Sequence, residues 1–232
     1  MVIRQRAVHT EDKQERYDAI LDAAERLLLR SPDRVANVAE VADEAGLAKG
    51  TVYLYFPGKE ELLLALHERN VSDFFAAVLD LLERNGPIAV QDILALTHEH
   101  MVKPPLFLPL ASRCFGLMAQ TIPSGAGLAF KQRMAERLEH AGAGLERHFP
   151  TLTPGDGRVL LRHSYALLSG LWQLSASGGG SAGPMCPLTG VAPAANGSTP
   201  APLAFDYAED LDRALLALWQ GTTARAAKAA LQ

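Results

Sequence analysis

Seven residues near the N-terminus carry the side chains best suited to chemistry, and that chemistry is the grip on a polyanion. Lys49, Gly50, Thr51, Val52, Tyr53, Leu54 and Tyr55 combine a cation, a bare backbone position, hydroxyls and apolar groups within two helical turns. Lys49, and Lys59 a little further on, can neutralise phosphates. Thr51 and Tyr53 offer hydroxyl donors to phosphate oxygens, contacts that fix register but carry little sequence information. Gly50 lets a backbone approach closely, and Leu54 and Tyr55 can touch thymine methyls or base edges. Backbone N–H groups where Gly58 and Lys59 open a helix can hold a phosphate.

Other reactive residues do not assemble into a catalyst. His98 and His100 flank Glu99, but residues two apart do not share a helix face, and no nucleophile–base pair or metal spacing accompanies them. A helical enzyme using them as acid–base groups is therefore the weaker reading, and no metal or cofactor is expected. Cys114 lies in an apolar helical run and reads as an inert core residue; Cys186 lies in a Gly- and Pro-rich stretch. Two cysteines so far apart form no disulfide framework and agree with a reducing cytoplasm. The glycines at 178–180 lack the Gly-Lys-Ser/Thr of a phosphate loop. No apolar leader or membrane-length apolar run is evident, so a cytoplasmic protein is expected.

The seven residues need elements that present them. Tyr17, Ile20, Leu21, Ala24, Leu27 and Leu28 repeat at helical spacing and predict a first helix from about Thr10 to Ser31-Pro32. Before it, Arg4 and Arg6 lie in a short tail that can act as an arm in the minor groove. Asn37 followed by Glu40 is a capping box for a short helix with Val38, Val41, Ala42 and Ala45 on its apolar stripe. Gly46 supplies its left-handed stop, and a third helix follows from about Lys49 to Phe56. Two short helices joined by about three residues including Gly make a helix-turn-helix, whose second helix fits the DNA major groove. Leu47, Val52 and Phe56 are its inward positions; Lys49, Gly50, Thr51, Tyr53, Leu54 and Tyr55 are its outward ones. Tyr53 and Tyr55 can alternatively pack beneath the next helix.

This segment resembles the DNA-binding domain of the TetR family. The matching residues are Val41-Ala42, Ala45-Gly46-Leu47, Lys49-Gly50-Thr51-Val52-Tyr53, Tyr55-Phe56 and Lys59-Glu60-Glu61-Leu62, with Ile20, Ala23, Ala24 and Leu27 before them. The resemblance covers about residues 15–65; beyond it only size and helical layout agree. It implies a homodimer on a palindromic operator, released by a small, largely apolar ligand. The DNA-facing residues it implies are Asn37, Ala48, Lys49, Gly50, Thr51, Tyr53, Leu54, Tyr55 and Lys59. Two positions depart from the family pattern: Ala48 stands where Ser commonly caps the recognition helix, and Leu54 where a polar or larger residue is frequent.

The remainder predicts more helices: Lys59 onward, Val71 to Leu82, Val90 to Met101, Leu106 to Gln120, Leu128 to Phe149, Arg158 to Ser175 and Phe205 to Gln220. Residues 176–204 read as a flexible loop. The fold expected is all-α. A helix-turn-helix domain at 10–57 precedes a larger helical effector-binding and dimerisation domain at 58–232. Arg158 to Ser175 and Phe205 to Gln220 carry more apolar surface than one subunit buries and are expected to form the dimer interface. Phe107, Arg113, Phe115, Met118, Phe130 and Trp172 could line a ligand pocket, or be plain core. The net charge of -4 opposes non-specific adhesion to DNA. It keeps open a second class, an interaction module whose helix-turn-helix no longer binds DNA.

Overall fold

The computed structural model describes residues 2–31, 34–84, 86–118, 125–175 and 206–229, with side chains from residue 12 onward except those of 115, 116, 118 and 225–229. Every regular element among them is helical. The stretch 176–204, Cys186 and the side chains of Arg4 and Arg6 lie outside the described residues. No helix among those described is long and apolar enough to cross a membrane.

The residues divide into two compact units. One comprises residues 1–70 and 105–130, the other 71–104 and 131–232. The first holds α1 (Val2–Arg30), α2 (Val38–Ala45), α3 (Lys49–Tyr55), the first half of α4 (Lys59–Leu82) and α6 (Phe107–Met118). α1 begins at Val2 and not near Thr10. Nothing between Val2 and Thr10 breaks a helix, since the segment has neither Gly nor Pro and contains Arg, Gln and Ala. The backbone around Arg4 and Arg6 is thus helical, not an extended arm.

The apolar stripe of α1 meets those of the next helices in a single core. Ile20, Leu21, Ala24 and Leu28 pack with Val38, Val41 and Ala42 of α2, Val52 of α3, and Leu62, Leu63 and Leu66 of α4. Fully burying one such aliphatic side chain contributes about 1.5–3 kcal/mol. Leu110 of α6 joins them. Pro109 is harmless there because it sits in the first turn of α6, where the N–H it lacks has no partner within the helix. Cys114 is buried in α6 beside the carbonyl of Leu63 at 3.8 Å. Burial pushes its thiol up to about 12, the behaviour of an inert core cysteine.

The second unit holds the rest of α4, α5 (Val90–Thr97), α7 (Ala126–His148) beyond its first turn, α8 (Asp156–Ser175) and α9 (Tyr207–Ala229). α5 passes directly into a π-helical turn, His98–Val102, where the Lys103 N–H reaches back to the His98 carbonyl at 2.9 Å. Leu160, Leu161 and Leu168 of α8 are buried with Leu211, Leu215 and Trp219 of α9. The Trp219 indole N–H donates to Ser164 Oγ at 3.0 Å, and that hydroxyl donates to the Leu160 carbonyl at 2.9 Å. A buried indole is thereby satisfied. α9 continues past Gln220 to Ala229, since Thr-Thr-Ala-Arg-Ala-Ala-Lys-Ala contains no helix breaker after Gly221.

α7 and α8 meet backbone to backbone. A Cβ on Gly142 would lie 2.5 Å from the Arg158 nitrogen, and one on Gly157 would lie 2.2 Å from the Gly142 carbonyl oxygen. Glu146 fastens the same corner by accepting from the N–H groups of Gly155 at 2.8 Å and Gly157 at 3.0 Å. Gly157→Ala must force the helices apart. It is expected to destabilise the fold by about 1–3 kcal/mol, read as a lower denaturant midpoint with unchanged helical circular dichroism before the transition.

Candidate nucleic-acid interface

The turn that aims α3 is built from its own residues. The Asn37 side chain accepts from the Glu40 N–H at 3.0 Å, and Glu40 Oε2 accepts from the Asn37 N–H at 2.8 Å, closing the capping box at the head of α2. At its other end Gly46 adopts φ 66°, ψ 28°, with its N–H directed to the Ala42 and Asp43 carbonyls. The Leu47 N–H follows to the Ala42 carbonyl at 2.9 Å, and Leu47 packs partly buried on the core. This left-handed reversal is open to glycine at little cost and sets the direction in which α3 departs.

α3 is anchored from one side. Val52 and Phe56 are buried, and Phe56 lies against Tyr17 of α1 with ring centroids 5.1 Å apart. Tyr55, expected on the outward face, is only half exposed; its ring meets Tyr17 at 6.4 Å. The reason is angular. Successive helix residues turn by about 100°, so Tyr55 falls beside buried Val52, whereas Gly50 and Leu54 fall opposite it. Leu54 is 86% exposed and Tyr53 50%. Lys49 and Gly50 are exposed and Thr51 half exposed. Beyond Gly50, the space a Cβ would occupy is open to 4 Å. Asn37, Ala48 and Lys59 are exposed as well.

Electrostatics set four arginines of this unit apart from Lys49 and Lys59. Arg26 donates to Glu44 at 2.9 Å, and Arg30 grips the same carboxylate. Arg34 meets Glu40 at 2.7 Å, and Arg69 meets Asp22 at 2.6 Å and Glu25 at 2.5 Å. Arg26, Arg30 and Arg69 hold helices to one another, and Arg34 ties the α1–α2 connection to α2. Lys49 and Lys59 have no acidic partner within ion-pair distance among the described residues. They remain available to phosphates, which is how an acidic chain keeps a locally cationic surface. At the start of α4, Glu60 and Glu61 fold back over Gly58: a Cβ there would lie 3.1 Å and 2.8 Å from their carboxylate oxygens. An anion approaching the helix terminus would meet those two charges, which disfavours the phosphate site expected at the Gly58 and Lys59 N–H groups.

The residues expected at a ligand pocket are distributed over both units. Phe107 and Phe130 are buried in the first, where both flank His67 of α4 with ring centroids 5.4 Å and 6.1 Å away. Arg113 is half exposed in the same unit. Trp172 belongs to the second unit, edge-on to Tyr207 at 5.6 Å, and the Tyr207 hydroxyl donates to the Leu168 carbonyl at 3.2 Å. The side chains of Phe115 and Met118 lie outside the described residues. Sequence reasoning passed over His67, although it sits four residues from Leu63 and four from Val71 on one apolar stripe. Burial pulls its pKa down to about 4. His98 pairs with Asp212 and Glu99 with Lys103. No group of three or more His, Cys, Asp or Glu suited to a metal ion exists among the described residues.

Comparison with known proteins agrees with this geometry. Residues 20–66 match the family model described as bacterial regulatory proteins, tetR family. Residues 68–226, well over half the chain, match that of the tetracyclin repressor-like C-terminal domain. The chain belongs to the TetR family of regulatory proteins. It is similar to the fatty acid metabolism regulator protein of Bacillus subtilis, 36% identical over 62 residues, 27% of this chain and 32% of that protein. It is also similar to the HTH-type transcriptional regulator EthR of Mycobacterium tuberculosis, 42% identical over 65 residues, 28% of this chain and 30% of that protein. The likeness thus spans about a third of these curated relatives' length.

Two tests follow from the turn. Ala48 stands at the cap of α3 with extended φ -65°, ψ 139° and no side-chain cap bond. Ala48→Ser is expected to stabilise the protein by about 1 kcal/mol, seen as a higher thermal midpoint without DNA. Glu44 is held down at about 2, chiefly by the hydrogen bond from Arg30 and then by that from Arg26. In the unfolded chain it protonates near the ordinary carboxylate value of 4.5, so its pairing stabilises the fold above that pH and the stabilisation is lost as pH falls toward 2. Glu44→Gln should lower the unfolding midpoint at pH 6 and match the parent near pH 2.

Proposed function

We propose that this protein is a DNA-binding transcriptional regulator acting in the cytoplasm, a repressor that leaves a palindromic operator when a small, largely apolar ligand binds. The observation that carries this reading is the recognition helix. Its anchored face is buried in the core, its opposite face is bare, and two uncommitted lysines flank that face. Lys49, Lys59, Thr51 and Tyr53 meet phosphates; Gly50 and Leu54 meet the groove floor. Asn37 and Ala48 lie at the edge of the same surface, where an amide and a backbone N–H can reach the DNA backbone. Tyr55 contributes its exposed edge.

A second copy completes the reader, because a palindrome presents two half-sites one helical turn, or a multiple of it, apart. α8 and α9 are the proposed contact. Their leucines are largely spent within one subunit, but Ala166, Gly170 and Leu174 of α8 and Ala217 and Gly221 of α9 remain exposed at four-residue spacing. Small residues in such rows let helices of two copies approach closely. The ligand acts by binding more tightly to the form whose recognition helices are wrongly spaced, since only differential affinity shifts such an equilibrium. The buried side chains of Phe107 and Phe130 around His67 are the proposed apolar contacts, with Arg113 of the same unit as a further candidate. A helix-turn-helix without DNA binding is the lesser reading, because the arginine–carboxylate pairs leave the lysines of the outward face free.

The test is titration of the full chain with the DNA upstream of its own gene at several salt concentrations. Sequence-selective binding that weakens steeply with salt is expected. Lys49→Ala should weaken binding to all sequences and lower the salt slope by about 1 per subunit. A salt-insensitive or absent interaction, or a protein that is monomeric at micromolar concentration, overturns the reading.

A further inference from the structure

We infer that this protein recognises its half-site chiefly by thymine methyl groups, with Leu54 as the reading side chain. The inference rests on the DNA-binding reading above and goes on to say what kind of base contact makes it selective.

The argument starts from the position directly opposite the anchored face of α3. With Val52 and Phe56 buried, that position belongs to Gly50 and Leu54, four residues apart and therefore neighbours along the outer edge. Nothing stands in front of Gly50 within 4 Å, so the groove floor can come close to the helix. Leu54 then reaches deepest, with 86% of its surface in water before DNA arrives.

Apart from Lys49, the rest of α3 lacks the side chains that pair with base edges in a fixed geometry. Its sequence, KGTVYLY, contains no Arg, Asn, Gln, Asp or Glu, and Lys49 is its one member of the set that pairs with guanine, adenine or cytosine in a fixed geometry. Lys49 is the first residue of the helix, about 100° round from Gly50 and about 60° from buried Val52, so it stands at the flank of the outer edge and is better placed for a phosphate than for the groove floor. The hydroxyls of Thr51 and Tyr53 can donate or accept, so they discriminate weakly between bases. One feature of the major groove is selective for an apolar group, the C5 methyl of thymine. A leucine at the outer edge of the helix, framed by Lys49 and Lys59 for the flanking phosphates, complements a groove floor of paired thymine methyls.

The experiment selects bound sites from a random-sequence duplex library with the full chain. The recovered sites are then remade with deoxyuridine replacing thymidine, one position at a time. Half-sites with thymine at neighbouring groove positions are expected. Loss of a methyl that is read should weaken binding about fourfold. Leu54→Ala, a change at an exposed position, should bind thymine and uracil sites alike at the position Leu54 reads. Recovered sites that bind equally well with uracil throughout would overturn the methyl reading and leave DNA binding intact. So would a Leu54→Ala protein that keeps the full thymine preference. Recovery of no sequence at any salt would overturn both readings together.

Discussion

The burial of Val52 and Phe56 against the α1–α4 core is the contact on which the interface depends. α3 has only seven residues, too few to be stable as an isolated helix. Its existence and its aim are both imposed by those two side chains and by Tyr17, which Phe56 and Tyr55 meet. Once they are seated, helical geometry leaves no choice about what faces outward. Gly50 and Leu54 must stand opposite, and Lys49, Thr51 and Tyr53 must flank them.

Around this anchor the polar residues divide their labour by geometry. Asn37 and Glu40 satisfy each other's backbone donors, so the entry to α2 is fixed without help from a partner. Gly46 takes up the reversal that a side chain would resist. Glu44 draws Arg26 and Arg30 of α1 onto α2, while Arg69 of α4 reaches Asp22 and Glu25 of α1. Exposed pairs of this sort are individually weak; their larger effect is to hold cations away from the outer surface of α3, where Lys49 remains. The missing cap at Ala48 leaves that helix held from its buried side alone.

The second unit is organised by a different constraint, close approach of backbones. Gly142 and Gly157 let α7 and α8 touch where any side chain would intrude, and Glu146 satisfies the amides at that corner. The Trp219–Ser164–Leu160 chain of hydrogen bonds lets a large aromatic seat itself between α8 and α9. The exposed residues of α8 and α9 include the small Ala166, Gly170, Ala217 and Gly221.

Much of this was determined by the sequence alone, because the signals are local. The apolar periodicity of α1, the Asn37–Glu40 box, Gly46, and the string from Lys49 to Lys59 each act through bonds or contacts a few residues long. They specified the helical class, the turn and the family without reference to the rest of the chain. Tertiary structure decided what depends on distant partners. It turned Tyr55 toward Tyr17, and it tied four arginines to carboxylates while sparing Lys49 and Lys59. It folded Glu60 and Glu61 over Gly58, and it gathered His67, Phe107 and Phe130, which are up to 63 residues apart, into one aromatic cluster. No local pattern encodes those outcomes, since each is set by which helix surfaces come to lie against one another.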